Sequence, residues 1–133
     1  GRPGQGPRKH TVPLLPGAAA ALVALTGSGE YVLSTDGGIT PLSAMTLSTW
    51  AKDVVGSAIL AFQLKRVRSG VETALASAGV SREVRGHLQS HGLAGVQARH
   101  YDAYDYMHEK REALDILLGL LQGKHIRVRL RSK

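Results

Sequence analysis

The chain has 133 residues, of which 43% are hydrophobic and 20% charged, proportions typical of one folded domain with a single core. It contains no cysteine, which excludes a disulfide framework and a thiolate metal site, and no apolar run long enough to span a membrane. The formal net charge of +7 indicates a polyanionic partner, and the first residues lack a signal-peptide pattern, so we expect a cytoplasmic protein.

The start of the chain predicts irregular and extended structure. Residues 1–9 are rich in glycine, proline and basic side chains, so we predict a flexible start. Residues 10–14 predict a short extended segment, and Pro13 restricts it to a sheet edge because proline has no amide hydrogen to donate. A second short extended piece is predicted over 31–33.

Start and stop signals, together with the spacing of apolar residues, predict helices over about 16–25, 46–55, 64–78, 81–90 and 105–123. Pro16 is suited to the first turn of the first helix. Thr46 or Ser48 is suited to cap the second. Ser81 and Asp105 are expected to cap the last two in the same way.

Two of these helices have a clear apolar face. In the helix that ends at Gly79, the face comprises Val67, Val71, Ala74, Leu75 and Ala78. In the helix that ends at Gly123, it includes Leu114, Leu117, Leu118 and Leu121. Both faces are expected to pack into the core, and a glycine is the usual residue just after a helix end.

The basic tail, residues 124–133, predicts a further strand. Ile126, Val128 and Leu130 alternate with basic residues, which is the two-residue period of a strand with one apolar face. A lone strand is unstable, so we expect it to join a small sheet in this chain or a neighbouring one. The alternative is a disordered basic arm that touches DNA. The predicted fold class is therefore mainly α with small β additions.

Three polar sites follow one another along the chain. They are Lys65-Arg-Val-Arg68, Ser90-His91-Gly92 and Arg99-His100-Tyr101-Asp102. Breaking a phosphodiester without a metal requires a nucleophile, positive charge on the non-bridging oxygens, and a proton donor for the leaving oxygen. Arginine suits the second task because its planar guanidinium binds two phosphate oxygens and keeps its charge.

In this order, the three sites resemble the C-terminal catalytic half of the tyrosine recombinases, the phage integrase family. The resemblance implies that Tyr101 is the nucleophile and that Arg68 is the second of the family's two catalytic arginines. It implies that His91 donates to the phosphate and that Lys65 stands where the family usually has histidine. Lys9 is the only lysine available for the family's general acid, before Val12-Pro-Leu14.

The resemblance also carries expectations about the whole protein. It implies a partial recombinase catalytic domain over 1–133, without the first arginine, so this fragment alone is expected to be inactive. Its partner would be double-stranded DNA, with Arg66, Arg99 and His100 as DNA contacts, and the full enzyme would be a tetramer on DNA. The resemblance also implies that the enzyme needs no cofactor and is located at the bacterial nucleoid. Arg68, Lys65 and His91 are expected to converge on one basic concavity.

Other interpretations of the same residues stay open. Tyr101 near a helix start is commonly a packing residue, and His91 before a glycine commonly complements a helix dipole. His87 and His91 are four residues apart, but no third ligand is indicated, so no metal site is predicted. The alternatives to the recombinase are a non-catalytic DNA-binding module and a structural nucleoprotein.

Overall fold

The computed structural model describes residues 10–91 and 104–124 of the chain. These residues form α1 (Pro16–Leu25), α2 (Ala44–Val55), α3 (Lys65–Ser77), α4 (Arg82–Gln89) and α5 (Met107–Leu121). They contain no strand, so the prediction of a mainly helical chain is confirmed, whereas the extended pieces at 10–14 and 31–33 do not pair into a sheet. Residues 125–131 of the predicted tail strand lie outside the described residues.

The chain divides into two compact units, with a boundary inside α3 between Val71 and Glu72. The central unit comprises residues 14–71. The C-terminal unit comprises the described residues 10–13, 72–91 and 104–124. Of the helices in the described part of the chain, none is both long enough and apolar enough to cross a bilayer.

The C-terminal unit has a small apolar core. Its buried hydrophobic residues are Leu75, Ala78, Val80, Leu88 and Ala113. Leu75 has no exposed surface, and it comes from the predicted apolar face of α3 together with Ala78. Val67 of that predicted face lies in the central unit and is half exposed. α4 packs against α5 to close the core of the C-terminal unit.

The buried face of α5 differs from the predicted one. Leu118 and Leu121 are exposed, and the buried residues of α5 are Lys110, Ala113 and Gly119. Gly86 of α4 is also buried. Small residues of both helices, Gly86 of α4 and Ala113 and Gly119 of α5, are thus buried in the unit in which these helices pack. The Lys110 ammonium donates a hydrogen bond of 2.9 Å to the Thr11 carbonyl oxygen.

The helix starts follow local capping rules, although not always at the predicted residue. The Ser81 hydroxyl accepts from the Val84 amide at 3.3 Å, which confirms it as the cap of α4. α2 is capped by Ser43, which accepts from the Thr46 amide at 3.0 Å, so the predicted cap at Thr46 or Ser48 was wrong. Ser43 has the extended backbone that a cap requires, whereas Thr46 already lies inside the helix.

The start of α5 is one residue later than predicted. Tyr106 is the residue before the helix, and its backbone is left-handed, with φ of 54°. The Asp105 carboxylate nevertheless accepts from the Met107 amide at 3.0 Å, so Asp105 does satisfy a free amide of the first turn. At the other end of α5, Gly123 has φ of 75°, the left-handed conformation for which glycine was predicted there.

The central unit contains a loop organised around Asp36. Its carboxylate accepts hydrogen bonds from the hydroxyls of Ser34 and Thr40 and from the amides of Ile39 and Thr40. These bonds, above all those from the two hydroxyls, hold the pKa of Asp36 well below its ordinary value. The neighbouring Gly38 also has a left-handed backbone, with φ of 97°.

Candidate functional site

The first predicted site lies on the first turn of α3. Lys65, Arg66 and Arg68 are all exposed there, and no acidic residue accompanies them in that turn. The N-terminal end of a helix carries a partial positive charge, so cations at this end weaken the helix rather than stabilise it. The same end attracts anions through its free amides. The helix dipole therefore does not account for the position of this cluster.

Lys65 also lines a shallow hollow within the central unit. The hollow has a volume of about 280 Å³ and is lined by Ser48, Lys52, Gln63, Leu64 and Lys65. Neither lysine forms an ion pair with a carboxylate of the described residues, and no carboxylate lines the hollow. Two ammonium groups, a hydroxyl and an amide are groups that can donate to phosphate oxygens.

Arg66 lies at a second hollow of the central unit, with a volume of about 230 Å³. Its other lining residues are mostly apolar and include Ile59, Leu60 and Phe62. This surface offers one cation beside apolar groups, so it is less suited to phosphate than the hollow at Lys65.

The second predicted site, His91, lies in the C-terminal unit directly after α4. Ser90 ends that helix with a left-handed backbone, φ of 53°, and the His91 amide donates to the Gly86 carbonyl oxygen at 3.0 Å. The His91 side chain is partly exposed, and its Nε2 atom lies 3.4 Å from Oε2 of Glu72. The helix-to-loop position predicted for His91 is therefore confirmed, and its imidazole faces a carboxylate.

Glu72 is a residue that the sequence did not single out. Its carboxylate also accepts from Arg85 Nε at 2.7 Å and from Gln89 Nε2 at 3.4 Å, both on α4. Arg85 donates further to the Val80 carbonyl oxygen. We name this set of Glu72, Arg85, Gln89 and His91 the Glu72 cluster. No motif spacing predicted it, because these contacts depend on where the fold places the Glu72 side chain relative to α4.

The two tyrosines that precede α5, Tyr104 and Tyr106, have structural contacts. The Tyr106 hydroxyl donates to Glu83 Oε1 at 2.6 Å, and its ring stacks on His87 with centroids 3.9 Å apart. Tyr104 lies edge-on to Tyr106, and its hydroxyl donates to Glu109 at 2.9 Å, a bond that raises the pKa of Tyr104. Tyr106 thus links α4 to the start of α5.

The third predicted site lies outside the described residues. This applies to Tyr101, Arg99 and His100, and also to Lys9, so their roles stay predictions. Arg68 and Lys65 belong to the central unit and His91 to the C-terminal unit, so the convergence of the three also stays a prediction. Within residues 10–91 and 104–124, no cluster of three or more histidine or acidic residues could hold a metal ion.

Comparison of the chain with known protein families, with curated proteins and with solved structures finds no match. What the chain does is therefore inferred from its own residues.

Proposed function

We propose that the chain is the catalytic part of a site-specific DNA recombinase that breaks and rejoins strands through a tyrosine. The observation that carries this proposal is the order of three polar sites in a chain of net charge +7. Lys65 and Arg68 come first, His91 follows, and Tyr101 comes last, as in the family that the sequence resembles. Its fold would be a partial catalytic domain of that family.

The proposed reaction is a transfer of one phosphodiester bond to the Tyr101 oxygen. The Tyr101 phenol gives up its proton to solvent and its oxygen attacks the phosphorus. The bond to the 5′ oxygen breaks, and a proton from Lys9 completes the free 5′-hydroxyl. Arg68 binds the non-bridging oxygens through its planar guanidinium, and Lys65 and His91 add further donors. A 5′-hydroxyl of a partner strand then attacks the 3′-phosphotyrosine and releases Tyr101.

The first turn of α3 supports this proposal. Lys65 and Arg68 are three residues apart on one helix, a spacing that places both on the same side of it. Each cation at this helix end opposes the helix dipole by about 0.3–1 kcal/mol. A phosphate bound there would reverse that penalty, because it attracts the cations and the free amides together.

Assembly and location follow from the same proposal. Strand exchange needs two DNA duplexes and therefore several catalytic subunits, so a tetramer on DNA is proposed. The DNA contacts proposed beside the catalytic residues are Arg66, Arg99 and His100. A protein of this kind would work on the bacterial nucleoid, without a cofactor.

A covalent trapping experiment tests the proposal. The full natural chain that contains these residues is incubated with a nicked duplex whose cleaved fragment diffuses away, so that the phosphotyrosine adduct accumulates. Tyr101→Phe should abolish the adduct and leave DNA binding unchanged, because it removes only the attacking oxygen. Arg68→Ala should reduce adduct formation by a factor of about 100 to 1,000, because it removes a charge that faces the transition state.

Tyr104→Phe is the matched control for the nucleophile. Tyr104 is exposed and its hydroxyl contacts Glu109, so its loss should leave adduct formation unchanged. Adduct formation that survives Tyr101→Phe would show that another residue attacks. Tight DNA binding without any adduct in the unaltered protein would favour the non-catalytic DNA-binding module.

A further inference from the structure

The Glu72 cluster brings two hydrogen-bond donors and an imidazole to one carboxylate within the C-terminal unit. Arg85 donates to Oε1 of Glu72 at 2.7 Å. Gln89 and His91 both approach Oε2, each at 3.4 Å. Both oxygens of Glu72 are therefore engaged, one by a short charge-assisted bond and the other by two longer contacts.

Exposure within the cluster increases from Arg85 to His91. The side chains of Arg85, Glu72 and His91 are 15%, 31% and 39% exposed, in that order. Arg85 also donates to the Val80 carbonyl oxygen, which fixes its guanidinium from a second side. Oε1 of Glu72 is thus bound by a guanidinium that is itself fixed, and Oε2 faces an imidazole that is partly exposed to solvent.

We infer that Glu72 is a positioning residue for His91 in the proposed DNA cleavage reaction. His91 follows the last turn of α4, so no helix backbone orients its ring. The Glu72 carboxylate is the described acidic group that faces the ring, with its Oε2 atom 3.4 Å from Nε2 of His91. Nδ1 of His91 has no partner among the described residues. It is therefore the ring nitrogen available to donate to a phosphate oxygen.

The chemistry of the imidazole explains why an acidic residue is suited to orient His91. An imidazole donates at both nitrogens only when it carries two protons, one for Glu72 and one for the phosphate. A carboxylate is an acceptor, and an acidic residue orients a histidine ring in this way in other enzymes. Arg85 balances the charge of Glu72, so that the carboxylate does not simply repel the DNA phosphate. Glu72 itself is not expected to touch DNA.

The competing interpretation is that Glu72 and Arg85 form only a structural ion pair between α3 and α4. In that case the loss of Glu72 would lower the melting temperature. The loss of Glu72 would then lower the cleavage rate only by lowering the fraction of folded protein. This effect would be the same with or without His91.

A double-mutant cycle in the full natural chain separates the two interpretations. The variants are Glu72→Gln, His91→Ala and the combination, each assayed for phosphotyrosine formation at saturating nicked duplex, for DNA affinity and for melting temperature. Glu72→Gln should slow adduct formation by a factor of about 10 to 100 without weakening DNA binding. In the His91→Ala background, it should cause no further loss of rate, because the residue it positions is gone.

Glu83→Gln is the matched control. This substitution weakens another side-chain contact to a carboxylate of the C-terminal unit, the hydrogen bond from the Tyr106 hydroxyl to Glu83. It should lower the melting temperature without slowing adduct formation. If Glu72→Gln fails to fold, Arg85→Lys replaces it, because it keeps the charge but loses the Nε donor that fixes Glu72. It too should slow cleavage only when His91 is present.

The outcomes distinguish this inference from the proposed function on which it rests. Adduct formation in the unaltered protein, with equal rate losses from Glu72→Gln in both backgrounds, overturns the positioning role alone. The positioning role is also overturned if Glu83→Gln slows cleavage as much as Glu72→Gln does. The absence of an adduct in the unaltered protein overturns both the proposed function and the inference.

Discussion

Leu75→Ala should be among the most destabilising substitutions in the C-terminal unit. Leu75 has no exposed surface, and only four other hydrophobic residues of the described chain are buried. The substitution removes three carbon atoms from this core, which costs about 2.4 kcal/mol at about 0.8 kcal/mol for each buried carbon. The cavity left behind adds to this loss, because so small a core cannot fully collapse around it. We therefore expect a loss of about 3–4 kcal/mol of unfolding free energy.

The measurement is urea unfolding followed by far-UV circular dichroism, with Leu121→Ala as the matched control. Leu121 is 77% exposed on α5, so the same chemical change there should alter the unfolding free energy by at most about 0.5 kcal/mol. The loss at Leu75 is a large share of the roughly 5–15 kcal/mol that stabilises a typical domain. A difference of less than about 1 kcal/mol between the two variants would refute the burial of Leu75 in this core.

Other parts of the structure give further expectations. Tyr106→Phe should lower the unfolding free energy by about 1 kcal/mol, because it removes the hydrogen bond to Glu83 and keeps the ring; an unchanged value in the same urea assay would contradict that contact. The lowered pKa of Asp36 means that its hydrogen bonds stabilise the loop above about pH 4, the range of an unfolded carboxyl, and lose this effect as the pH falls toward the folded-state pKa. An NMR titration of the carboxyl carbon should show a midpoint well below that range, and an ordinary midpoint would contradict the loop geometry. The affinity for duplex DNA should fall steeply as salt rises, and Lys52→Gln should make the log–log slope shallower by about 0.9, one phosphate contact; an affinity that does not respond to salt would contradict a DNA-facing role.

Features that depend on a few neighbouring residues could be predicted from the sequence. Pro16 marks the start of α1, and Ser81 caps α4 as expected. Gly79 and Gly123 follow the ends of α3 and α5 with left-handed backbones. Each of these features rests on the shape or hydrogen-bonding capacity of one residue and its immediate neighbours. The position of His91 directly after α4 follows from the same local rules.

Some predictions that appear local depended on a choice between nearby residues. Ser43, Thr46 and Ser48 all carry hydroxyls that can cap a helix, and the structure uses Ser43. The loop before Ser43 gives it the extended backbone that a cap needs, and this conformation is not visible in the residue types. The start of α5 shows the same effect, since Tyr106 adopts the left-handed backbone that separates Asp105 from the helix.

Only the tertiary structure decided which helix faces are buried and which side chains meet. α5 offers a leucine-rich side, yet Ala113 and Gly119 are among its buried residues and Leu118 and Leu121 are exposed. Glu72 and His91 are far apart in sequence, and their contact exists because the fold brings the Glu72 side chain beside the end of α4. Helix boundaries arise mainly from interactions within one turn of chain, so the residue types mark them to within one or two residues. Contacts between helices depend on the fit of whole surfaces, so they appear only when the elements are assembled.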